Sequence, residues 1–312
     1  AGRLDEARRD AEEARRLFEN AGDDENQAHC LRLLGHIASD LGAAAQGRRQ
    51  VAKALAMFEG LGHELGQAQC EVLLGEIDYL LGEHARARAV LVSGAARFAE
   101  VGDRLGRAQC LLLQSMVEQA AAGSSPDAVR GLLAAARADF DSIGYRLGLS
   151  QCELALAHAE HRLGDLEEAR KLALAARQSF RDLANPRGEA GCERILSMVA
   201  IDAGEPSLAQ EHAEAAARIF DRLADPWGQV ESHVLFAQIA LDRGDAERAR
   251  EHLVACEGVA VSEAEPKQHR HLTQAWLAYH EGRFHEAAKE LDLARSAFKD
   301  PIRTGDHTPM LL

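Results

Sequence analysis

The sequence predicts an all-α fold, a solenoid of about seven and a half helix-turn-helix units, and three observations lead there. Ala, Leu, Arg and Glu dominate its 312 residues, while only 4% are aromatic and seven are proline, a composition suited to helices with small residues at close contacts. Phe18, Phe58, Phe98, Phe140, Phe180 and Phe220 recur at a step of 40 residues, once 42. Finally, Gly42, Gly82, Gly164, Gly204, Gly244 and Gly282 divide each unit into two stretches of roughly 16 residues, long enough for helices and too long for typical strands.

The elements follow in order. A leading helix over residues 3–20 forms a half-unit within residues 1–22. Helix pairs follow over 23–62, 63–102, 103–144, 145–184, 185–224 and 225–264, and a last pair over 265–298, giving fifteen helices in one array spanning 1–298. The 42-residue step belongs to the third pair, whose mid-unit glycine is replaced by the longer turn 123–127. In the first helix of each pair (the A helix), apolar residues fall at i, i+4, i+7 and i+11: Cys30, Leu34, Ile37 and Leu41, then Cys70, Leu74, Ile77 and Leu81, then Cys152, Leu156, Ala159 and Leu163. That spacing is one helical face. The second (B) helix ends a few residues after its Phe, where a glycine such as Gly102 can take the left-handed conformation. Asp103, Asn185 and Asp225 suit the next N-cap, with Pro186 and Pro226 at the first helical position. Residues 299–312 carry Pro, Gly and Thr without periodicity and are expected to form a frayed tail.

Composition also excludes function classes. A net charge of −14 with no basic stripe argues against nucleic acid and against an anionic membrane surface. No run of about 18 apolar residues and no signal peptide are present, so a cytoplasmic location is expected. The six cysteines invite a redox or metal reading, because Cys30, Cys70, Cys110, Cys152 and Cys192 each stand twelve residues after a Phe. In a stacked array, however, successive members lie about one helix-packing distance apart, roughly 10 Å, too far for a disulfide. They read, with Cys256, as small core residues. The histidine pairs His158 and His161, His269 and His271, and His280 and His285 lack a completing carboxylate or thiol. No nucleophile elbow, phosphate loop or dinucleotide fingerprint occurs. No catalytic residue, metal or cofactor is expected.

A small residue midway along the A helix (Gly35, Gly75, Ser115, Ala157, Ser197, Ala237, Ala275), together with an alanine early in the B helix (Ala7, Ala87, Ala169, Ala209, Ala249, Ala287) and a glycine between, resembles the tetratricopeptide repeat (TPR) family across residues 1–298. The 40-residue unit is similar to the extended repeats of LGN/Pins-type adaptors and of the carboxy-terminal arrays of bacterial signalling ATPases, kinases and MalT-like regulators, the Ala- and Arg-rich wording being nearer the bacterial group. The family's large aromatic early in the A helix is absent, its place taken by Leu31, Glu71, Leu111, Glu153, Glu193 and His233, and the asparagines of the chaperone-tail clamp are missing too. The resemblance implies a right-handed superhelix whose A helices line the concave side.

Counting from the small landmark, the groove is expected to present Arg32 and His36, then Val72, Glu76 and Tyr79, then Leu112 and Met116, then Leu154, His158 and His161, then Arg194 and Met198, then Gln238. The central residues are more apolar than solvent requires, which suits a helix or extended segment laid into a groove. The function expected is that of a non-catalytic scaffold or sensor domain binding a protein or peptide segment, part of a larger bacterial signalling protein. Two alternatives stand beside it: a small-molecule-sensing regulatory domain and a self-association module.

Overall fold

The computed structural model describes residues 2–120, 125–257 and 264–296. Among these residues the chain is entirely helical, with fifteen helices and no strand. α1 (Gly2–Ala21) stands alone before the pairs. The A and B helices of the successive pairs are α2 (Asp24–Asp40) and α3 (Ala44–Leu61), α4 (Glu64–Leu80) and α5 (His84–Glu100), α6 (Arg104–Ala120) and α7 (Pro126–Ser142), α8 (Arg146–Arg162) and α9 (Leu166–Asp182), α10 (Pro186–Asp202) and α11 (Pro206–Leu223), α12 (Pro226–Asp242) and α13 (Ala246–Glu257), and α14 (Ala264–His280) and α15 (Phe284–Ser296). The expected tail, 299–312, lies outside the described residues, as do residues 123 and 124 of the expected turn and the side chains of His269 and His280.

Local chemistry sets each entry into an A helix. The side chains of Asp23, Asp103, Asn185 and Asp225 accept hydrogen bonds from the backbone N–H three residues on, at 2.8–3.3 Å, each satisfying one donor that the helix start leaves orphaned. Pro186 and Pro226 occupy the first turn, where a missing N–H costs nothing.

The joint between repeats is a phenyl ring laid on a glycine. Phe58, Phe98, Phe140, Phe180 and Phe220 are all buried, and each covers the glycine eight residues later on the next A helix: Gly66, Gly106, Gly148, Gly188 and Gly228. A Cβ at any of these glycines would sit 2.0–2.6 Å from the ring, a separation no side chain tolerates. The phenylalanine series thus meets a second glycine series, distinct from the one in the turns, at one repeated contact. Inside a repeat the small landmark plays the same part, with Gly75 beneath Leu91 and Gly35 against Val51 and the Gly47 carbonyl.

Ion pairs lace several B helices to the following A helix. Arg48 reaches Asp78 at 2.6 Å, Arg88 reaches Glu118 at 2.6 Å and Arg130 reaches Glu160 at 2.6 Å, three rungs at one register. At the next step the A-helix position is Ala200, and Arg170 turns instead to Glu205 in the α10–α11 turn. No cysteine is in a disulfide; five are buried and Cys30 partly so. Leu163, expected in the core stripe, sits at the C-cap of α8 and is 44% exposed; there the helix has ended and the stripe no longer faces the neighbouring helices.

Candidate functional site

Contacts between elements identify the inner wall. Each A helix packs on its own B helix, on the preceding B helix and on the A helices before and after it (α2 on α4, α4 on α6, and so on to α12 on α14), whereas no pair of B helices packs to a comparable extent. Helices crowded together along one side of a curving stack line its concave face. The A helices are therefore enclosed on several sides. In α10, Ala190 and every residue from Cys192 to Ser197 are buried, as are Val199 and Ala200.

Such enclosure decides where the anticipated groove residues lie. On α2, His36 is exposed, its Nδ1 3.8 Å from Asp40, and Arg32 is partly buried. On α4, Glu76 is half-buried; burial pushes its carboxyl up, His36 opposes and Asp40 reinforces the shift. Val72 and Tyr79 are half-buried against the α4–α6 core, Tyr79 stacking on His84 at 5.9 Å. On α6, Met116 is partly exposed, but Leu112 is buried in the cluster around Phe140 and Cys152. The expectation that Leu112 faces the groove treated the far side of the A helix as open, and in the array that side packs against the next repeat.

Farther along, Leu154 and Met198 pack against the same cluster of α8, α9 and α10 residues. His158 is half-buried. His161 joins α8 to α10 through a 2.8 Å contact of Nε2 with Asp202. Arg194 is buried rather than groove-facing: its guanidinium lies 5.2 Å above the Trp227 ring, donates to the Met198 sulfur at 3.5 Å and stands 3.7 Å from Glu231. Gln238 is half-buried on α12. The structure thus brings His36 near Glu76, Leu154 near Met198, and Arg194 onto Met198.

Other features lie near these residues. Leu33 on α2 is 48% exposed, one position from Arg32. A cleft of about 400 Å³ opens at the carboxyl ends of α10 and α12, lined by Ile201, Asp202, Gly204, Pro206, Ile239 and Asp242. Two isoleucines and two carboxylates line it, Asp202 being the partner of His161. Trp227 was legible only as a departure, an aromatic where other units carry Leu65, Leu105 or Leu147.

The arrangement offers little to covalent chemistry. Burial pushes the thiols of Cys70, Cys110 and Cys152 up to about 12, and that of Cys192 up as well, so none is a thiolate nucleophile at neutral pH. The buried carboxylates are tied down in place. Glu71 accepts from Ser93 at 2.7 Å and from Arg97, Asp139 from Arg107, and Glu193 from Arg177 at 3.1 Å while meeting His212 at 2.7 Å.

No family profile matches the chain, and no curated protein matches it in sequence. Solved structures do match. The Rap conjugation gene regulator of plasmid pLS20, in complex with the Phr* peptide, aligns with TM-score 0.73 and 15% identity over 93% of this chain and 80% of that one. A Rap protein complexed with competence and sporulation factor aligns with TM-score 0.74 and 13% identity over 88% and 75%. Aspartyl phosphate phosphatase F from Bacillus subtilis aligns with TM-score 0.66 and 10% identity over 95% and 77%. At these identities the likeness is one of fold, and the chain is an all-helical repeat solenoid of the architecture those structures share.

Proposed function

We propose that the chain is a non-catalytic peptide-binding array, a TPR-like sensor or scaffold of a bacterial cytoplasmic signalling protein, whose partner segment lies along the inner wall of A helices. The observation that carries this reading is the wall itself. Consecutive A helices abut and hold His36, Glu76, Tyr79, Met116, His158, Met198 and Gln238 at recurring register, partly solvent-accessible, while the chain's thiols and buried acids are engaged in packing and ion pairs. Two structural neighbours were solved with bound peptides, which supports the reading. Another is named a phosphatase; here the thiols of Cys70, Cys110, Cys152 and Cys192 are buried and their pKa values raised, which favours binding over catalysis by a thiolate.

The division into one array over residues 1–298, with repeats at 1–22, 23–62, 63–102, 103–144, 145–184, 185–224, 225–264 and 265–298 and a tail at 299–312, belongs to the same proposal. Methionines in the middle of the wall give an adaptable apolar surface, and the Ile201–Asp242 cleft is suited to a lysine or arginine of the peptide. The test is selection of a displayed random-peptide library on the purified chain, with affinities measured by fluorescence anisotropy. Selected peptides should share apolar anchors and a basic residue. Met116→Glu and Met198→Glu should each weaken binding at least tenfold with helicity unchanged. Recovery of no binder, or binders indifferent to both substitutions, would refute the reading.

A further inference from the structure

The array serves as its own comparison set, and one junction departs from it twice. The position before the repeated cysteine is glutamine in the three pairs after the first, as Gln69, Gln109 and Gln151, but His29 in the first. The N-cap of the A helix is Asp or Asn at Asp23, Asp103, Asn185 and Asp225, but Tyr145 in α8 and His63 in α4, and only the histidine still caps with its side chain. These two departures meet in space. His29 and His63 face each other edge to face at 6.0 Å between ring centres, both against Phe58, at 4.9 and 5.3 Å. Glu25, one helical turn before His29 on α2, completes the group, its carboxylate 3.5 Å from His63 Nε2.

We propose that Glu25, His29 and His63 form a binding site for a divalent transition cation of zinc type, which clamps the start of α2 to the start of α4. One ligand atom from each of the three lies within 4.8 Å of the others, and among the described residues no other trio of His, Cys, Asp or Glu does so. Two imidazoles and one carboxylate are a donor set zinc accepts, with a fourth position left for water, and Glu25 lies open to solvent, which gives the ion a way in. Motif reading along the sequence passes over such a site, since its histidines stand in different repeats, 34 residues apart.

One cost is visible. His63 Nδ1 accepts the Gly66 N–H at 2.8 Å, so in the metal-free protein its Nε2 carries the proton. Coordination through Nε2 moves the ring to its other tautomer and hands the Gly66 N–H to water. What is lost is one capping hydrogen bond at the start of α4, which water replaces, while the ion gains three protein ligands, so the tautomer change does not prevent loading.

The experiment is zinc titration of the untagged full chain against a chromophoric chelator, repeated with cobalt to read the visible absorption of the bound ion. The variants His29→Gln and His63→Asn install residues the array already uses at these positions, and His63→Asn keeps a cap, so both are expected to fold. The expected result is one tight site per chain, weakened at least tenfold in each single variant and in Glu25→Gln, with the cobalt band and the zinc-induced rise in Tm lost in the double histidine variant. A double variant that binds one zinc within threefold of the parent affinity, or a parent that shows no site tighter than the double variant, would overturn the assignment.

Discussion

At the scale of single residues, the array exposes its own exceptions. Gly144 ends α7 with φ near 66°, in the left-handed region, and at the corresponding ends of α9 and α11 Ala184 and Ala224 hold φ of 51° and 49°. An L-residue with a Cβ pays roughly 1–2 kcal/mol there, while glycine pays part of that back through its freer unfolded chain. Ala184→Gly and Ala224→Gly should therefore each stabilise the protein, by about 0.5–1 kcal/mol on that balance, readable as a higher midpoint in urea with unchanged m-value. Equal or lower midpoints would mean that the strain is relieved elsewhere. The residue scale is also where the sequence was least legible for function. Leu112 and Arg194 carry the periodicity of groove positions yet are buried, because the A helix has packing partners on several sides and one apolar stripe does not define its free face. Trp227, which covers Arg194, belongs to the next repeat, and nothing in the spacing within α10 announces it.

At the scale of helix pairs, one A-to-B position carries a changing polar couple. It is Glu193 with His212 in the fifth pair and His271 with Glu290 in the seventh, each at 2.7 Å, and between them His233 with His252, the two Nδ1 atoms 3.3 Å apart. The histidine couple differs in sign. Burial lowers both pKa values, Asp221 opposing at His233, and at His252 the neighbours His233 and Arg248 lower it further against Glu251. Folded, both rings are neutral, whereas the unfolded chain takes up protons near pH 6.5. The stabilisation is complete above that value and is lost as pH falls below it toward the folded values. Amide-exchange protection of α12 and α13, corrected for intrinsic rates, should thus drop between pH 7.5 and 5.5, and drop less in His252→Gln. Protection that is level across that range would contradict it. The boundaries of these pairs were plain in the sequence, since caps, prolines and end glycines are local signals. Their ion pairs were not, since Arg48 and Asp78 are chosen by the angle between helices.

At the scale of the molecule, every described contact of note joins helices adjacent in the chain or one repeat apart. Stability is then a sum over repeats and their nearest interfaces, and damage should stay near its origin. Gly148→Ala places a methyl against the Phe140 ring; overpacking of this kind costs about 1–3 kcal/mol, more than the roughly 1 kcal/mol of helix propensity that alanine returns. Exchange protection should fall in α7, α8 and α9 and hold in α2, α3 and α4, whereas a uniform fall would mean one global unit. The same locality explains why the fold was readable from the sequence: a repeat that meets only its neighbours must write its whole joint within a few dozen residues, and the forty-residue step is that joint repeated. The inner wall was readable only in outline, because it is the surface left over after all joints are made.

The ring-on-glycine joint has a consequence for how such a protein changes length. Both halves of the contact lie within one nine-residue stretch, such as Phe140 to Gly148, so a duplicated segment from one joint to the next arrives with a matching plug at one end and a matching socket at the other. Gain or loss of a whole unit leaves every remaining seam as it was and alters only how far the wall extends. The molecule is in this sense ready for growth by copying, and the reach of its binding face is a quantity that inheritance can adjust in whole steps.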